Sequence, residues 1–321
     1  MNKYISFDSW FGGLQNIRQS YELAAGISFI TKRTLILPEK IFCDFLSEHT
    51  NKSTFFDFWD LFDKESFTNE FNCIDYSEVD AYQKYNSSDQ YFDGICDDVR
   101  CFPLSANHTN WGVAEDVLNN VFTYDGLDVV DKFIHFPRNL FGHWYSILGF
   151  TDSQKEVFKQ KLKKGLLLRK EYDIKLISDP YNAIHLRGGD FFVFREKETR
   201  ELFKDIIKII ENKIPKDKPL FIATDIQDKD IFKELKGYTY YFIDDLVKTN
   251  QISAIAYDIY MCSNAEHFYG SKFSTFTDYI NIVRKYKDKK DTSKTGLNYD
   301  YSNIKNERKN YNWHTLFVEN Y

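Results

Sequence analysis

Tyr181-Asn-Ala-Ile-His185-Leu186-Arg187-Gly188-Gly189-Asp190 decides how this chain is read. A short apolar run passes into a fixed cation, two glycines and a carboxylate, the pattern of a buried strand ending in a tight turn. In an open α/β sheet, ligands sit outside the carboxyl ends of the strands. An arginine placed there offers a planar fork of donors suited to phosphate, and glycines let a backbone come close to a ligand. The competing reading is an Arg187–Asp190 pair that merely closes a surface loop.

Outward from this stretch the second half alternates regularly. Residues 153–170 read as a strongly basic helix with Val157, Phe158, Leu162 and Leu166 as its apolar positions. Beyond Arg187 the pattern predicts a helix over 197–213 and a strand over 219–224 that ends in Thr224-Asp225. A helix over 229–235, a strand over 238–243, a helix over 252–262, a strand over 267–270 and a helix from Ser274 to about residue 287 follow. This rhythm argues for a parallel sheet with helices on both faces. At the other end of the chain, residues 3–7 read as a strand, Gly12-Gly13 as a turn, residues from about 14 to 30 as a helix and 34–38 as a buried strand. Between residues 40 and 150 the sequence is irregular and aromatic, which predicts long insertions lining an acceptor cleft. The expected division is residues 1–150, a first α/β domain with aromatic insertions; 151–290, a second α/β domain; and 291–321, a polar tail that packs back through Trp313 and Phe317.

Composition narrows the classes. The 321 residues suffice for two domains. With a net charge of −6, a generic nucleic-acid grip is excluded, while a local basic site for a small anion is not. No apolar run reaches the roughly 18 residues of a membrane span, and the first residues read as a strand rather than an export signal. Five scattered cysteines, with Cys96 and Cys101 five apart, match no zinc spacing and read as reduced thiols. Three glycosylation sequons, at Asn51, Asn86 and Asn107, carry little weight without an export signal. A cytoplasmic location is the expectation.

Three strand ends carry polar groups: His185-Leu-Arg187-Gly-Gly-Asp190, Ala223-Thr224-Asp225, and Gly270-Ser271-Lys-Phe-Ser274-Thr275-Phe276. In the last, Ser274 and Thr275 either cap a helix or join its free N–H groups in holding phosphate. Asp258, among apolar neighbours, is either buried with a partner or reads a ligand's donors. No Asp-x-Asp pair stands at a strand end, so no metal ligands are assigned.

The order of these segments resembles the GDP-fucose-dependent O-fucosyltransferases and their core-fucosylating relatives. The resemblance is carried by Phe11-Gly12-Gly13-Leu-Gln-Asn16-Ile-Arg18, by His185-Leu-Arg187, by Ala223-Thr224-Asp225, and by the Asp258 helix running into Ala265–Gly270 and Ser274-Thr275-Phe276. It implies an α/β fold of GT-B form, two Rossmann-like domains facing each other across a cleft. It also implies an inverting, metal-independent glycosyltransferase with GDP-fucose as donor substrate, no cofactor, and a glycan or polypeptide as acceptor. Carried over on these matches, Arg187 would hold the β-phosphate as the sugar bond breaks, with Asp190 beside it. His185 would contact nucleotide or sugar, and Asp258 the guanosine. Thr224 and Asp225 would line the donor site; Ser274 and Thr275 would bind phosphate oxygens, and Phe276 would pack on the nucleotide. Gly12, Gly13 and Asn16 would face the same cleft from the first domain. One branch of the family carries a glutamate in the Gly-rich turn as acceptor base, and Gly12 stands near that place here. The base is therefore unassigned among Asp8, Glu22 and Asp116, or none is used and Asn16 orients the acceptor hydroxyl. The competing classes are a non-catalytic nucleotide- or carbohydrate-binding module, a GT-B enzyme with another nucleotide-hexose, and a phosphate-handling hydrolase, for which neither nucleophile nor metal cluster is visible.

Overall fold

In the computed structural model the described residues are 3–7, 13–42, 55–79, 99–101, 133–136, 151–187, 207–208, 210–226, 228–271 and 274–287. They divide into two compact units between Arg169 and Lys170. Each contains a wholly parallel sheet.

The first unit begins as β1 (Tyr4–Phe7), α1 (Leu14–Thr31) and β2 (Thr34–Leu37), the β–turn–α–β start expected from the sequence. A two-stranded antiparallel pair, β3 (Ile41–Phe42) and β4 (Phe55–Phe56), precedes α2 (Lys64–Glu70) and β5 (Cys73–Asp75). The strands β6 (Val99–Cys101) and β7 (Phe133–Phe136) complete a sheet of order β5-β2-β1-β7-β6. The irregular middle of the sequence thus supplies three strands to the first sheet, each of three or four residues and too short to leave a period. The aromatic run at 55–62 is core as far as it is described. Phe58 lies against Tyr21 at 3.9 Å and against Phe62 at 4.3 Å, both nearly coplanar, and Phe58, Trp59 and Phe62 are buried. Large apolar rings of this kind dominate core energetics when fully desolvated. The basic helix is shorter than its charge pattern suggested: α3 (Asp152–Gly165) is capped by Thr151 and buries Phe158 and Leu162. Phe158 lies beside Phe29 of α1 and Phe71 after α2, which ties α3 to the first unit.

The second unit contains β8 (Asn182–Leu186), helical residues at 207–208 and 210–213, and β9 (Leu220–Thr224). Then come β10 (Tyr240–Tyr241), α4 (Ile243–Leu246), α5 (Gln251–Asn264), β11 (His267–Gly270) and α6 (Thr275–Tyr286). Residues expected as a helix at 229–235 form a 3-10 helix, Lys229–Glu234. The strand expected over 238–243 shrinks to two residues because Asp245 accepts from the Phe242 N–H and opens α4 there. Sheet order is β10-β9-β8-β11. The chain therefore lays β9 and β10 to one side of β8 and returns to place β11 on the other, so the order reverses between β8 and β11. Open α/β sheets hold their ligands at such a reversal.

One buried arginine joins the last two helices. Arg284 of α6 donates from Nη1 to the carbonyls of Cys262, Ser263 and Ala265 at 3.2, 3.2 and 2.7 Å, and from Nη2 to that of Glu266 at 3.1 Å. These are carbonyls that the end of α5 leaves without helical partners, and a cation suits the negative end of a helix dipole. Arg284→Met keeps the volume and removes the donors. It should lower the unfolding free energy of the protein by about 3 kcal/mol, seen as an earlier urea midpoint with unchanged slope. A midpoint equal to that of the native chain would show that the bonds contribute nothing.

Candidate active site

At the reversal, β8 and β11 run side by side with His185 opposite Gly270. Because strand side chains alternate, Ile184 and Leu186 enter the apolar cluster with Ile207, Ile210 and Ile222, and His185 turns to the other face, toward α6. Its Nδ1 lies 2.8 Å from Thr277 Oγ1, and its ring centroid is 4.7 Å from that of Phe276. Gly270 makes this approach possible: a Cβ there would collide with the Thr277 side chain. His185 is only 7% exposed. Burial, with the positive charge of Arg187 as the lesser cause, pushes its pKa down to about 3. The imidazole is therefore neutral at physiological pH, a donor and acceptor but not a reservoir of charge.

Arg187 is the first residue past β8. Its backbone N–H donates to Ser271 Oγ at 3.0 Å, and Ser271 in turn donates from Oγ at 3.0 Å and from its N–H at 3.1 Å to the carbonyl of His185. The guanidinium is close enough for its charge to be felt at the imidazole. Ser274 is buried, and its Oγ accepts the Thr277 N–H at 3.5 Å. That is the N-cap position of α6, so the capping reading holds for Ser274. Thr275 and Phe276 follow in the first turn, both partly exposed. The structure thus brings His185 to Phe276 and Thr277 in the first turn of α6, which Ser274 and Thr275 open, and Arg187 to Ser271 just past β11.

The remaining sites are distributed differently. Thr224 donates its hydroxyl to the Leu186 carbonyl at 2.8 Å and accepts the Ile226 N–H at 3.2 Å; its proton is committed to joining the ends of β8 and β9. Asp225 follows it, partly buried. Asp258 lies on α5 with Oδ1 buried and without a hydrogen-bond partner. Burial raises its pKa well above the ordinary carboxylate range; Asp244 adds to the rise and Lys229 opposes it. Its charged neighbours are thus on the segments following β9 and β10, not on the one following β11.

In the first unit, Gly13 is extended and precedes α1 without a side-chain cap, and its carbonyl receives the N–H groups of Asn16 and Ile17. Asn16 is in the first turn, partly exposed. Glu22 is fully buried and ion-paired at 2.7 Å with Arg18, whose Nε donates to Gln15 Oε1 at 3.1 Å. A fully buried carboxylate paired this way is part of the helix interior. Gly12, Asp190, Asp8 and Asp116 lie outside the described residues. Among the described residues no group of three or more metal-ligating side chains occurs, and no helix is long and apolar enough to cross a membrane.

Comparisons with known proteins bear on this geometry. The family description "GDP-fucose protein O-fucosyltransferase" matches residues 4–287. A Caenorhabditis elegans protein, GDP-fucose protein O-fucosyltransferase 2, is 32% identical over 120 residues, 34% of this chain; the match spans only 27% of that relative's length. Among solved structures, POFUT1 in complex with GDP-fucose has a TM-score of 0.51 at 12% identity, covering 88% of this chain and 94% of its own. The NodZ α-1,6-fucosyltransferase soaked with GDP-fucose has a TM-score of 0.52 at 14% identity, covering 88% and 93%; NodZ structures from Bradyrhizobium match equally well. At such identities the likeness concerns the fold, and the fold it shows is GT-B, α/β with two Rossmann-like units.

The neutral imidazole has a measurable consequence. Between about pH 6.5 and 3 the unfolded chain protonates residue 185 and the folded chain does not, so His185 makes stability fall as pH drops, by about 1.4 kcal/mol per unit. Asp258 acts in the opposite sense, keeping its proton when folded as the unfolded carboxyl ionises, so its contribution is lost as pH rises. The comparison that isolates the histidine is His185→Gln against the native chain in urea unfolding from pH 7 to 4. The variant should lose a slope of about one proton; parallel curves would mean that the imidazole is charged in the folded state.

Proposed function

This chain belongs to the GDP-fucose protein O-fucosyltransferase family, and from that premise we propose that it transfers fucose from GDP-fucose to a hydroxyl of a glycan or polypeptide acceptor, with inversion and without a metal. The observation that carries this reading is the pairing of His185 with Thr277 of α6 and of Arg187 with Ser271 just past β11, at the reversal of the second sheet.

In the proposed reaction the acceptor oxygen attacks the anomeric carbon on the face opposite the diphosphate. The new C–O bond forms as the bond to the β-phosphate oxygen breaks, GDP leaves with the electron pair, and the acceptor proton passes to solvent or to a base. Negative charge grows on the departing phosphate. A preplaced guanidinium at Arg187, the free N–H groups at the start of α6 and the hydroxyl of Thr275 stabilise that charge as it develops. Phe276 and His185 flank the nucleotide or sugar, with neutral His185 acting as a hydrogen-bonding group. Asp258 suits the N–H edge of guanine: two donors from the base would favour the ionised carboxylate that burial disfavours. Asn16, in the first turn of α1, orients the acceptor hydroxyl. Asp190, Thr224 and Asp225 complete the donor side, Thr224 by holding the strand ends.

The test is GDP release from GDP-fucose by protein pretreated with EDTA. Release should survive the chelator and fall about 100- to 1000-fold in Arg187→Ala, while the rise in melting temperature caused by GDP is largely kept. GDP should raise the melting temperature more than UDP or CMP, and Asp258→Asn should erase that preference. Stabilisation by GDP without any release would favour the non-catalytic binding module, and full activity in Arg187→Ala would remove that residue from the mechanism.

A further inference from the structure

We infer that Ser271 is a positioning residue for Arg187, a hydroxyl clamp that fixes the backbone from which the guanidinium reaches the leaving group. The inference rests on the fucosyl-transfer reading above for its kinetic consequence and on geometry for the clamp itself. Ser271 is the first residue past β11, and Arg187 is the first past β8. Here the two strands end, with Ser271 still joined to β8 by one backbone bond. Ser271 continues the pairing with its side chain: Oγ accepts the Arg187 N–H at 3.0 Å and donates to the His185 carbonyl at 3.0 Å, and the Ser271 N–H reaches the same carbonyl at 3.1 Å. The hydroxyl is 2% exposed and both of its roles are used within the protein. A hydroxyl spent in this way is not reading a ligand; it is holding the two residues on which the site depends.

The clamp acts one residue beyond the strand. Without it, the Arg187 N–H would lose its acceptor and the residue would gain freedom at the position where alignment matters. Small displacements of a catalytic group cost as much as about 100-fold in rate. The hydroxyl, rather than the volume, is what the geometry requires, and Thr retains it whereas Ala does not.

A double-mutant cycle tests this. Ser271→Ala should lower turnover at saturating GDP-fucose by about 10- to 100-fold with little change in the affinity for GDP, and Ser271→Thr should restore most of it. In an Arg187→Ala background the same Ser271→Ala change should alter the residual rate by less than about twofold, because a residue acting through another has nothing left to act on. Equal losses in both backgrounds would make Ser271 a general structural residue and overturn the inference. A native chain that binds GDP and releases none from GDP-fucose would refute the transfer reading and leave the clamp to a second measurement, amide exchange at Arg187. Protection there should be present in the native chain and lost in Ser271→Ala; unchanged protection would overturn the clamp.

Discussion

The parallel pairing of β8 with β11 is the constraint on which the second unit's chemistry depends. Its register sets His185 opposite Gly270 and brings Ser271 beside Arg187. Because β9 and β10 occupy the other side of β8, the sheet order reverses at this junction, the kind of place where open α/β sheets hold ligands. A shift of one residue in register would send His185 into the apolar cluster and turn Ile184 toward α6.

Polar groups in this protein are buried for different purposes, and their partners tell them apart. Arg284 and Arg18 are buried cations, the first held through Nη1 and Nη2 by helix-end carbonyls and the second by Glu22 and Gln15. His185 is buried neutral, held by a threonine hydroxyl. Asp258 has one buried oxygen without a hydrogen-bond partner, as do both oxygens of Glu22, and an unanswered buried carboxyl oxygen costs stability. Glu22 differs from Asp258 in having a cation, Arg18, at 2.7 Å, which offsets part of the cost of burying a carboxylate.

Legibility in the sequence followed element length and locality. Helices α1, α5 and α6 and the strands β1, β2, β8, β9 and β11 were readable because each carries its own period or a bounded apolar run. The three short strands β5, β6 and β7 were not, since three or four residues carry no period and their strand identity comes from neighbours in the sheet. The aromatic run around Trp59 illustrates the same limit. Composition alone suggested the lining of a cleft, and the stacking of Phe58 on Tyr21 assigns it to the core.

What the sequence by itself determined was the set of chemical groups at the strand ends and the family order of the segments that carry them. Arg187, His185, Ser274 and Thr275 are visible in a linear reading because turn glycines and helix starts are local signals. Which groups serve each other was decided by tertiary structure alone. Thr277 reaches His185 across 92 positions of chain and Ser271 reaches Arg187 across 84. Thr224, with the same kind of side chain, spends its proton on a neighbouring strand. A hydroxyl has no intrinsic assignment between ligand, cap and clamp; its role is fixed by the nearest unpaired donor or acceptor, and folding chooses that neighbour.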